Sequence, residues 1–399
     1  MRCVHRPYRT VGAASRIWLL PVGTGITGDL ATPGLSRKNR CWLILSPQEK
    51  EYVVSTQKIV LVTGGSGFIA GHIILQLLDA GYTVRTTVRS LERETNVRAV
   101  LVEAGMKRGD ALAFVEADLT SDTGWATAAK GIDYVLHVAS PIHTENVKDE
   151  NQVIGPARDG ALRVLRAARD AGVSRVVLTS AFHAVGFGHG KVDRTFTEAD
   201  WSVVDGPGVD AYGKSKILAE RAAWDFIGTE GGSMELTTIL PVAVMGPVMG
   251  RDVSGANQII QRSLAGQMPG YPNMFVPIVD VRDVAAAHIA AMTAPAAAGE
   301  RFLVTSGRPA IAMKQIGAIL KDHFGEAAKR VPTRSIPNAV VRIAALFKTE
   351  FRSVAADLNY QKKVSGDKAS RLLGLQPRDP EDAIIAAAQS MIAHSLVKA

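Results

Sequence analysis

The sequence predicts an α/β fold in which helices cover both faces of a doubly wound parallel sheet. From Lys58 onward, short apolar runs alternate with segments whose apolar residues recur at helical spacing, as expected of successive strand–helix units. The first run, which ends at Val62, is apolar and β-branched, which is typical of a central parallel strand. Proline and glycine are absent from the strands predicted before residue 180.

A glycine-rich turn connects this strand to the first predicted helix, which runs to about Ala80. Gly65, Gly67 and Ala70 fit the G-x-G-x-x-G/A pattern of dinucleotide-binding folds. One glycine permits a tight turn, a second lets the backbone approach a pyrophosphate, and the small third residue lets helix and strand pack closely. The alternative is a plain glycine turn, but the flanking strand and helix favour a cofactor site and a Rossmann-type fold.

The alternation continues beyond this turn and supports one large sheet. Strands and helices follow each other up to residue 180, and both kinds of element recur in the C-terminal part. The predicted strands are Thr83–Val88, Ala113–Glu116, Tyr134–Val138, Arg175–Thr179 and Arg301–Thr305, and the predicted helices are Leu91–Ala104, Asp122–Ala129, Ala161–Ala171 and Ala256–Leu264.

Composition and charge argue against several kinds of function. The chain of 399 residues has a net charge of +8, but residues 1–46 carry +6 of it, so the remainder is not basic enough to suggest nucleic-acid binding. No apolar run approaches the ~20 residues that a membrane span needs. The two cysteines, Cys3 and Cys41, indicate neither a disulfide framework nor a metal site, and the predicted α/β body has no thiol nucleophile.

Residues 1–56 lack periodicity and contain scattered glycine and proline. Three interpretations stay open: a disordered extension, an arginine-rich organellar targeting segment, or an artefact of an upstream start, with targeting the least favoured. We expect a dinucleotide-binding domain over residues 57–240. A smaller C-terminal α/β substrate-binding region is expected over residues 241–399, partly interleaved with the same sheet.

Arg89 ends the second predicted strand, 25 residues after Gly64. A site for NAD usually places an acidic residue here to accept from the ribose hydroxyls, whereas an arginine suits a 2′-phosphate. A guanidinium can hold phosphate through two parallel, charge-assisted hydrogen bonds. A solvated arginine is the alternative, but the position favours NADP(H), and Arg85 and Arg93 lie near enough to share the phosphate.

Tyr212 and Lys216 are four residues apart and therefore share one face of a predicted helix. A free phenol has a pKa of ~10, which is too high for efficient proton exchange at neutral pH, and a nearby ammonium favours the phenolate. Lowering that pKa to ~7 requires about 4 kcal/mol of electrostatic help. Such a pair can exchange a proton with a carbonyl oxygen while a nicotinamide exchanges hydride with the carbon.

With these motifs, the sequence resembles the extended short-chain dehydrogenases/reductases. The similarity is to the branch that holds dihydroflavonol reductases, cinnamoyl-CoA reductases and aldehyde reductases, within the NAD-dependent epimerase/dehydratase superfamily. It covers about residues 57–380 in the family's order. The matching segments are Val62–Ile69, Thr87–Arg89, Ala117–Leu119, His137–Pro141, Val177–Ser180, Tyr212–Lys216, Leu240–Pro247 and Val279–Ala285.

The resemblance implies a role for most of these segments. Tyr212 and Lys216 would be catalytic and would also contact the cofactor, and Arg89 would bind the NADP 2′-phosphate. The other residues expected to bind the cofactor are Thr63, Gly64, Gly65, Ser66, Gly67, Phe68 and Ile69 in the glycine loop, Asp118 and Leu119 beside the adenine, Ala139 and Ser140 in the dinucleotide groove, and Pro241, Val242 and Val244 beside the nicotinamide.

One position departs from the family's pattern. The family usually ends its fifth strand with Thr-Ser-Ser and uses the second serine to polarise the substrate carbonyl, whereas this chain has Thr179, Ser180 and Ala181. Loss of such a donor typically costs a factor of ~100 or more. Ser180, which we expect to be catalytic, Thr179 or His183 could substitute; otherwise the substrate needs less polarisation, or the protein binds cofactor without turnover.

The segment 181–210 is a long connection rich in glycine, histidine and aromatic residues, as expected of a binding loop. His183 and His189 lack a third ligand at suitable spacing, so structural or substrate-lining roles are favoured over a metal site. We expect the loop Gly270–Phe275 to line the substrate pocket. Met245, Met249, Met268 and Met274 would form soft apolar walls, although methionine is more often simply part of a core.

Together these features predict NADPH-dependent reduction of a small, fairly apolar aldehyde or ketone. A nucleotide-sugar epimerase or dehydratase is the first alternative, although such enzymes tend to carry an acidic residue where Arg89 stands. The second alternative is an NADP-binding regulatory protein without turnover. We expect a cytoplasmic monomer or homodimer with a small carbonyl substrate, no metal, and neither nucleic acid nor membrane as a partner.

Overall fold

The computed structural model describes residues 58–141, 149–348 and 350–397, which belong to one compact unit. The expectations for residues 1–56, including both cysteines, lie outside the described residues. The strands are β1 (Ile59–Val62), β2 (Thr83–Val88), β3 (Leu112–Glu116), β4 (Tyr134–His137), β5 (Arg175–Thr179), β6 (Thr195–Phe196), β7 (Glu235–Pro241), β8 (Ala243–Met245), β9 (Phe275–Val276), β10 (Ile278–Asp280), β11 (Arg301–Val304), β12 (Ile311–Ala312) and β13 (Lys363–Val364).

The helices fall between these strands and continue to the C-terminal part. They are α1 (Phe68–Asp79), α2 (Glu94–Glu103), α3 (Trp125–Ala129), α4 (Asn151–Asp170), α5 (Ala211–Thr229), α6 (Asn257–Leu264), α7 (Val281–Thr293), α8 (Met313–Phe324), α9 (Asn338–Phe347), α10 (Glu350–Ala356), α11 (Asp367–Leu373) and α12 (Pro380–Ala393).

Among the described residues, seven strands form one parallel sheet in the order β11-β7-β5-β4-β1-β2-β3. The order reverses between β1 and β4, since the chain moves outward to β3 and then returns past β1 to β4. This confirms the predicted Rossmann-type sheet, in which ligands bind beyond the carboxyl ends of the strands at such a switch point. The outermost strand, β11, comes from the C-terminal part of the chain.

Helices cover both faces of the sheet, as expected because each strand is buried on both sides. On one face, α1 and α7 bury apolar residues such as Ile73, Leu77 and Val284 in one core cluster. On the other face, α3, α4 and α5 form a second cluster around Trp125 and Leu165. A third cluster joins α6, α8 and α12 beside β8 and β10.

Two of the helix boundaries that differ from the prediction have an identifiable cause. The helix expected at Ala161 begins ten residues earlier, at Asn151, and contains Pro156. Val153 and Ala157 extend its buried stripe, so packing stabilises a segment that glycine and proline would otherwise end. The helix expected at Asp122 begins at Trp125, because Gly124 adopts φ of 90° immediately before it.

None of the helices in the described part of the chain combines the length and the hydropathy needed to cross a bilayer.

Candidate active site

A cleft of about 1020 Å³ opens at the carboxyl ends of the sheet strands. Its lining runs from the glycine loop after β1, past the ends of β2 and β4, to the start of α5 and the segment after β7. Most sequence-predicted site residues meet in this cleft. Those that line it are Gly64, Ser66, Gly67, Phe68, Ile69, Arg89, Asp118, Leu119, Ala139, Ser140, Ser180, Tyr212, Lys216, Pro241, Val242 and Val244.

The glycine loop makes its turn at Gly64, one residue before the predicted motif begins. Gly64 has φ of +74°, and a Cβ placed there would lie 2.9 Å from the Cβ of Ala139. Its amide donates to Thr87 Oγ1 at 2.9 Å, and the Gly67 amide donates back to the Gly64 carbonyl at 2.8 Å. The loop is therefore fixed against β2 and β4 while its outer side faces the cleft.

Two residues predicted to bind the cofactor do not line the cleft but lie behind the glycine loop. Thr63 is fully buried, and its hydroxyl accepts from the amides of Val138 and Ala139, each at 3.0 Å. Gly65 is also buried, and a Cβ there would lie 2.4 Å from Thr86 Oγ1. Both residues shape the loop from inside.

The start of α1 is suited to an anion. Gly67 is its N-cap residue, and no side chain of the described residues caps the helix there. The first backbone N–H groups of a helix lack intrahelical partners and carry the positive end of the helix dipole. Because Ser66, Phe68 and Ile69 line the cleft, this end of the helix is open to a pyrophosphate.

At the far end of the cleft, Arg89 and Asp118 lie near each other on the carboxyl ends of β2 and β3. Arg89 is exposed and lines the cleft. The Asp118 carboxylate accepts from the amide and hydroxyl of Thr120 at 2.8 and 2.7 Å, and these hydrogen bonds hold the pKa of Asp118 below its usual value. The site thus offers a free guanidinium and a fixed carboxylate.

The idea that Arg85 and Arg93 share a phosphate with Arg89 is not supported. Arg85 Nη1 donates to the carbonyls of Ala128 and Lys130 at 2.9 and 2.8 Å and so caps the end of α3. Arg93 is exposed outside the residues that line the cleft.

Helix α5 presents Tyr212 and Lys216 to the cleft. Asp210 caps the helix by accepting from the Gly213 amide at 2.8 Å, which fixes the first turn. Lys216 is 8% exposed and donates to Ser140 Oγ at 3.1 Å, with Nζ 5.8 Å from the centroid of the Tyr212 ring. Tyr212 is 37% exposed, and its hydroxyl has no hydrogen-bond partner among the described residues.

The pKa of Tyr212 moves opposite to the sequence expectation. Removal from water, together with the Asp210 carboxylate, raises the pKa of the phenol to about 12. Burial lowers the pKa of Lys216 to about 8, while Glu220 acts in the other direction. The free phenol is therefore neutral at physiological pH and already carries the proton that a general acid needs.

Behind β5, a buried polar network holds Ser180. Its hydroxyl donates to Glu220 Oε2 at 2.6 Å, and the same carboxylate accepts from Arg301 Nε at 2.8 Å and Thr238 Oγ1 at 2.9 Å. Ser180 is only 5% exposed. Although it lines the cleft, its proton points into this network, which argues against the catalytic role predicted for it.

His137 belongs to the framework of the loop and is a buried histidine with a hydrogen-bond partner. Thr63 accepts two amide protons and therefore donates its own to His137 Nδ1, at 2.8 Å. Burial lowers the pKa of His137 to about 3, with a further contribution from Lys216, so the imidazole is neutral.

The substrate end of the cleft is more aromatic and more charged than the sequence suggested. His183 stacks on Phe187 with ring centroids 4.2 Å apart and meets Tyr212 edge-on at 5.0 Å. Lys362, paired with Asp357, lies over the Phe187 ring at 4.5 Å. No sequence motif marked Lys362 and Asp357, which are about 150 residues from Tyr212 and arrive through the tertiary fold.

Of the four methionines expected in the pocket wall, Met274 lines the cleft together with Phe275. Met245 is fully buried in the third core cluster, and Met249 packs against Gly71. Met268 is in contact with Ser263, at 3.4 Å. The other three are therefore packing residues, which is the commoner use of methionine.

Comparison with known proteins places this geometry in a family. The model of the NAD dependent epimerase/dehydratase family matches residues 60–305. The ketoreductase azaE of Aspergillus niger is 34% identical over 301 residues, which cover 71% of this chain and 88% of that protein. Cinnamoyl-CoA reductase 1 of Arabidopsis thaliana is 35% identical over 254 residues, or 63% of this chain and 71% of that protein.

A solved structure agrees with these relatives. The crystal structure of yeast methylglyoxal/isovaleraldehyde reductase Gre2 complexed with NADPH superposes with a TM-score of 0.69 at 26% identity. The alignment covers 85% of this chain and 100% of that chain. The comparisons confirm the resemblance drawn from the sequence motifs.

Proposed function

The chain belongs to the NAD dependent epimerase/dehydratase family, and we propose that it is an NADPH-dependent reductase that converts a small aldehyde or ketone to an alcohol. The observation that carries this proposal is the free hydroxyl of Tyr212, held beside Lys216 in a cleft whose other end carries the glycine loop and Arg89. Relatives and a structural neighbour with reductase names support it.

The cleft fits a dinucleotide phosphate. The open start of α1 would hold the pyrophosphate, Arg89 the 2′-phosphate, and Asp118 with Leu119 the adenosine end. Lys216 and Ser140, already hydrogen-bonded to each other, would face the ribose hydroxyls at the other end. When bound, the reduced nicotinamide supplies the hydride that reduces the carbonyl carbon.

Tyr212 supplies the proton. Its pKa of about 12 keeps the phenol protonated at pH 7, and donation to the carbonyl oxygen gives a neutral alcohol. The Lys216 ammonium, with Nζ 5.8 Å from the ring centroid, stabilises the phenolate that remains. The pair thus favours the direction of reduction at neutral pH.

Apolar groups support a small, fairly apolar substrate. Phe187, Met274, Phe275 and Val244 line the cleft, and Phe187 stacks on the His183 ring that contacts Tyr212. Isovaleraldehyde and methylglyoxal, named for the yeast neighbour, are therefore suitable first probes.

The test is the loss of reduced-nicotinamide absorbance with isovaleraldehyde, methylglyoxal and cinnamoyl-CoA, using NADPH and NADH in parallel. We expect turnover of a small aldehyde, with kcat/KM at least about tenfold higher for NADPH than for NADH. Binding of NADPH without turnover of any carbonyl would contradict the reductase proposal. A preference for NADH would contradict the role of Arg89.

A further inference from the structure

The proposed reduction needs a hydrogen-bond donor at the carbonyl oxygen in addition to Tyr212. That oxygen gains negative charge as hydride reaches the carbon, and fixed donors aimed at it supply much of the catalysis in comparable enzymes. The segment that ends β5 and enters the cleft offers three polar side chains: Thr179, Ser180 and His183. Ala181 lies among them and has no polar side-chain atom.

Thr179 has no proton to give to a substrate. His288 Nδ1 lies 2.8 Å from the Val284 carbonyl, which can only accept, so this nitrogen carries the imidazole proton. The pKa of His288 is lowered to about 4 by burial, so Nε2 is an acceptor at neutral pH. The Thr179 hydroxyl therefore donates to His288 Nε2, at 2.7 Å.

Ser180 is committed in the same way. The Glu220 carboxylate that receives its proton is paired with Arg301 and also accepts from Thr238. A carboxylate bound to a guanidinium acts as an acceptor, so the Ser180 hydroxyl must be the donor in this contact. If the Ser180 hydroxyl donated to a substrate instead, the buried Glu220 carboxylate would lose one of its hydrogen bonds.

His183 differs from both residues. No hydrogen bond joins either of its ring nitrogens to another described residue, and the ring lines the cleft in edge-on contact with Tyr212. Stacking on Phe187 fixes the plane of the imidazole. The side chain is thus held in place by its ring faces while its nitrogens stay available.

We propose that His183 donates a hydrogen bond to the substrate carbonyl oxygen beside Tyr212, which makes it a catalytic residue of the reduction. This inference rests on the proposed function. The protonation state of the imidazole does not change in this role. Tyr212 transfers the proton, and the hydrogen bond from His183 stabilises the negative charge on the oxygen that receives it.

The neutral imidazole is the form that acts. Burial lowers the pKa of His183 to about 4, and Lys362 and Lys216 act in the same direction, against Asp210 and Asp357. A neutral ring has one N–H donor, which is sufficient for one bond to a carbonyl oxygen. Because the ring stays neutral above pH 5, the contribution of His183 should be constant from pH 6 to pH 8.

Lys362 is another donor among the described residues at this end of the cleft, but its position is less direct. Its ammonium is paired with Asp357 and lies over Phe187, whereas His183 itself contacts Tyr212. His183 contacts Tyr212, Phe187 stacks on His183, and Lys362 lies over Phe187. His183 is therefore the donor that neighbours the proton source.

The test compares three variants with the wild-type protein. His183→Phe keeps a ring that can stack on Phe187 but has no hydrogen-bond donor. His183→Gln keeps an N–H donor. The third is a double variant that combines His183→Phe with Ala181→Ser and so adds a hydroxyl to the cleft. The measurements are kcat and KM for isovaleraldehyde, NADPH affinity by fluorescence, and the melting temperature. A readout without turnover is the His183 ring resonance in proton NMR, followed on adding the aldehyde in the presence of NADP⁺.

We expect His183→Phe to lower kcat by about 100-fold, with NADPH affinity within about threefold of wild type. His183→Gln should lose less, Ala181→Ser should restore at least about tenfold, and the NMR resonance should shift. An unchanged kcat in a folded His183→Phe variant would overturn the inference, as would a loss that neither Gln nor Ala181→Ser reduces. Absence of turnover in the wild-type protein would instead overturn the proposed function.

Discussion

Partial removal from water and the Asp210 carboxylate raise the pKa of Tyr212, and burial lowers that of Lys216, so both side chains are displaced toward their neutral forms in the free protein. For the tyrosine this preserves the acid, since its proton is what the carbonyl oxygen requires. For the lysine, a pKa of about 8 still leaves the ammonium dominant at pH 7. In the proposed reaction, the two residues therefore begin in the states that reduction needs.

Replacement of Tyr212 by phenylalanine removes this acid and leaves the ring. We expect Tyr212→Phe to lower kcat by about 100-fold to 10,000-fold, because general acid catalysis contributes that much. Steady-state kinetics with isovaleraldehyde measures the loss, and quenching of NADPH fluorescence should show that the cofactor still binds. Tyr134→Phe, whose hydroxyl contacts Lys58 outside the cleft, is the matched control and should keep full activity.

In the proposed function, the choice between NADPH and NADH depends on Arg89. Arg89→Ala removes the guanidinium and should raise KM for NADPH at least about tenfold, while KM for NADH changes little. The ratio of the two kcat/KM values is the quantity to compare. Arg93→Ala, an exposed arginine outside the cleft, should leave that ratio unchanged, and an equal effect of both variants would refute a specific role for Arg89.

At the scale of elements, the glycine loop is held by packing on its inner side and is open on its outer side. Gly64 turns the chain, Gly65 accommodates Thr86 beneath it, and Gly67 is the N-cap of α1. The three glycines thus have different constraints although they lie within four residues of one another. Glycine-to-alanine substitutions can distinguish a packing constraint in the loop from the ordinary effect of glycine on helix stability.

Gly65→Ala should destabilise the protein by about 1–3 kcal/mol, because its Cβ would lie 2.4 Å from Thr86 Oγ1 in a buried position. Gly228→Ala in α5 is the control, since nothing lies within 4 Å of the added carbon. That control should stabilise by about 0.5–1 kcal/mol. Urea unfolding measures both, and a Gly65→Ala variant as stable as wild type would show that the loop can shift freely.

The central strands, the glycine turn and the Tyr–Lys helix could be predicted because each depends on local pattern. β2 and β5 have the predicted bounds, since apolar runs and strand ends are encoded within a few residues. The early start of α4 could not be predicted in this way, because contacts with α5 and the sheet compensate for Pro156. Tertiary packing therefore outweighs the helix-breaking tendency of Pro156 in α4.

Within the site, residue types could be predicted better than their partners. Ser180 was a reasonable candidate donor from the sequence, but its hydroxyl donates to Glu220, which lies forty residues later in the chain. Lys216 was expected to lower the pKa of Tyr212, but removal from water and the Asp210 carboxylate raise it. Lys362 and Asp357 carry no motif and enter the cleft only through the packing of the C-terminal part.

At the scale of the whole molecule, three buried histidines and the partly buried His183 should make stability depend on pH. Burial is the main cause that lowers the pKa of His72, His183 and His288 to about 4 and that of His137 to about 3. In the unfolded chain each histidine has a pKa near 6.5, so below that pH the unfolded state binds protons that the folded state does not bind. Stability is therefore complete above pH 7 and is lost as the pH falls from 6.5 toward 4.

Each histidine contributes up to about 1.4 kcal/mol per pH unit within this window. Urea unfolding between pH 5 and pH 7 should show the free energy of unfolding rising with pH. His288→Gln should reduce the slope, whereas replacement of the exposed His323 by glutamine should not. The carboxylates of Asp118 and Asp200, whose pKa values are lowered from 3.8, titrate below this range. A slope that His288→Gln leaves unchanged would contradict this assignment.

In the proposed reaction, hydride moves within this cleft to a carbonyl carbon while Tyr212 protonates the oxygen. The decisive experiment uses NADPH deuterated at C4 of the nicotinamide and isovaleraldehyde, followed by mass spectrometry of the product. We predict an alcohol that carries deuterium on its carbinol carbon with the wild-type protein, formed at least about 100-fold more slowly by Tyr212→Phe. Bound cofactor without labelled alcohol, or full labelling rates in Tyr212→Phe, would contradict the account.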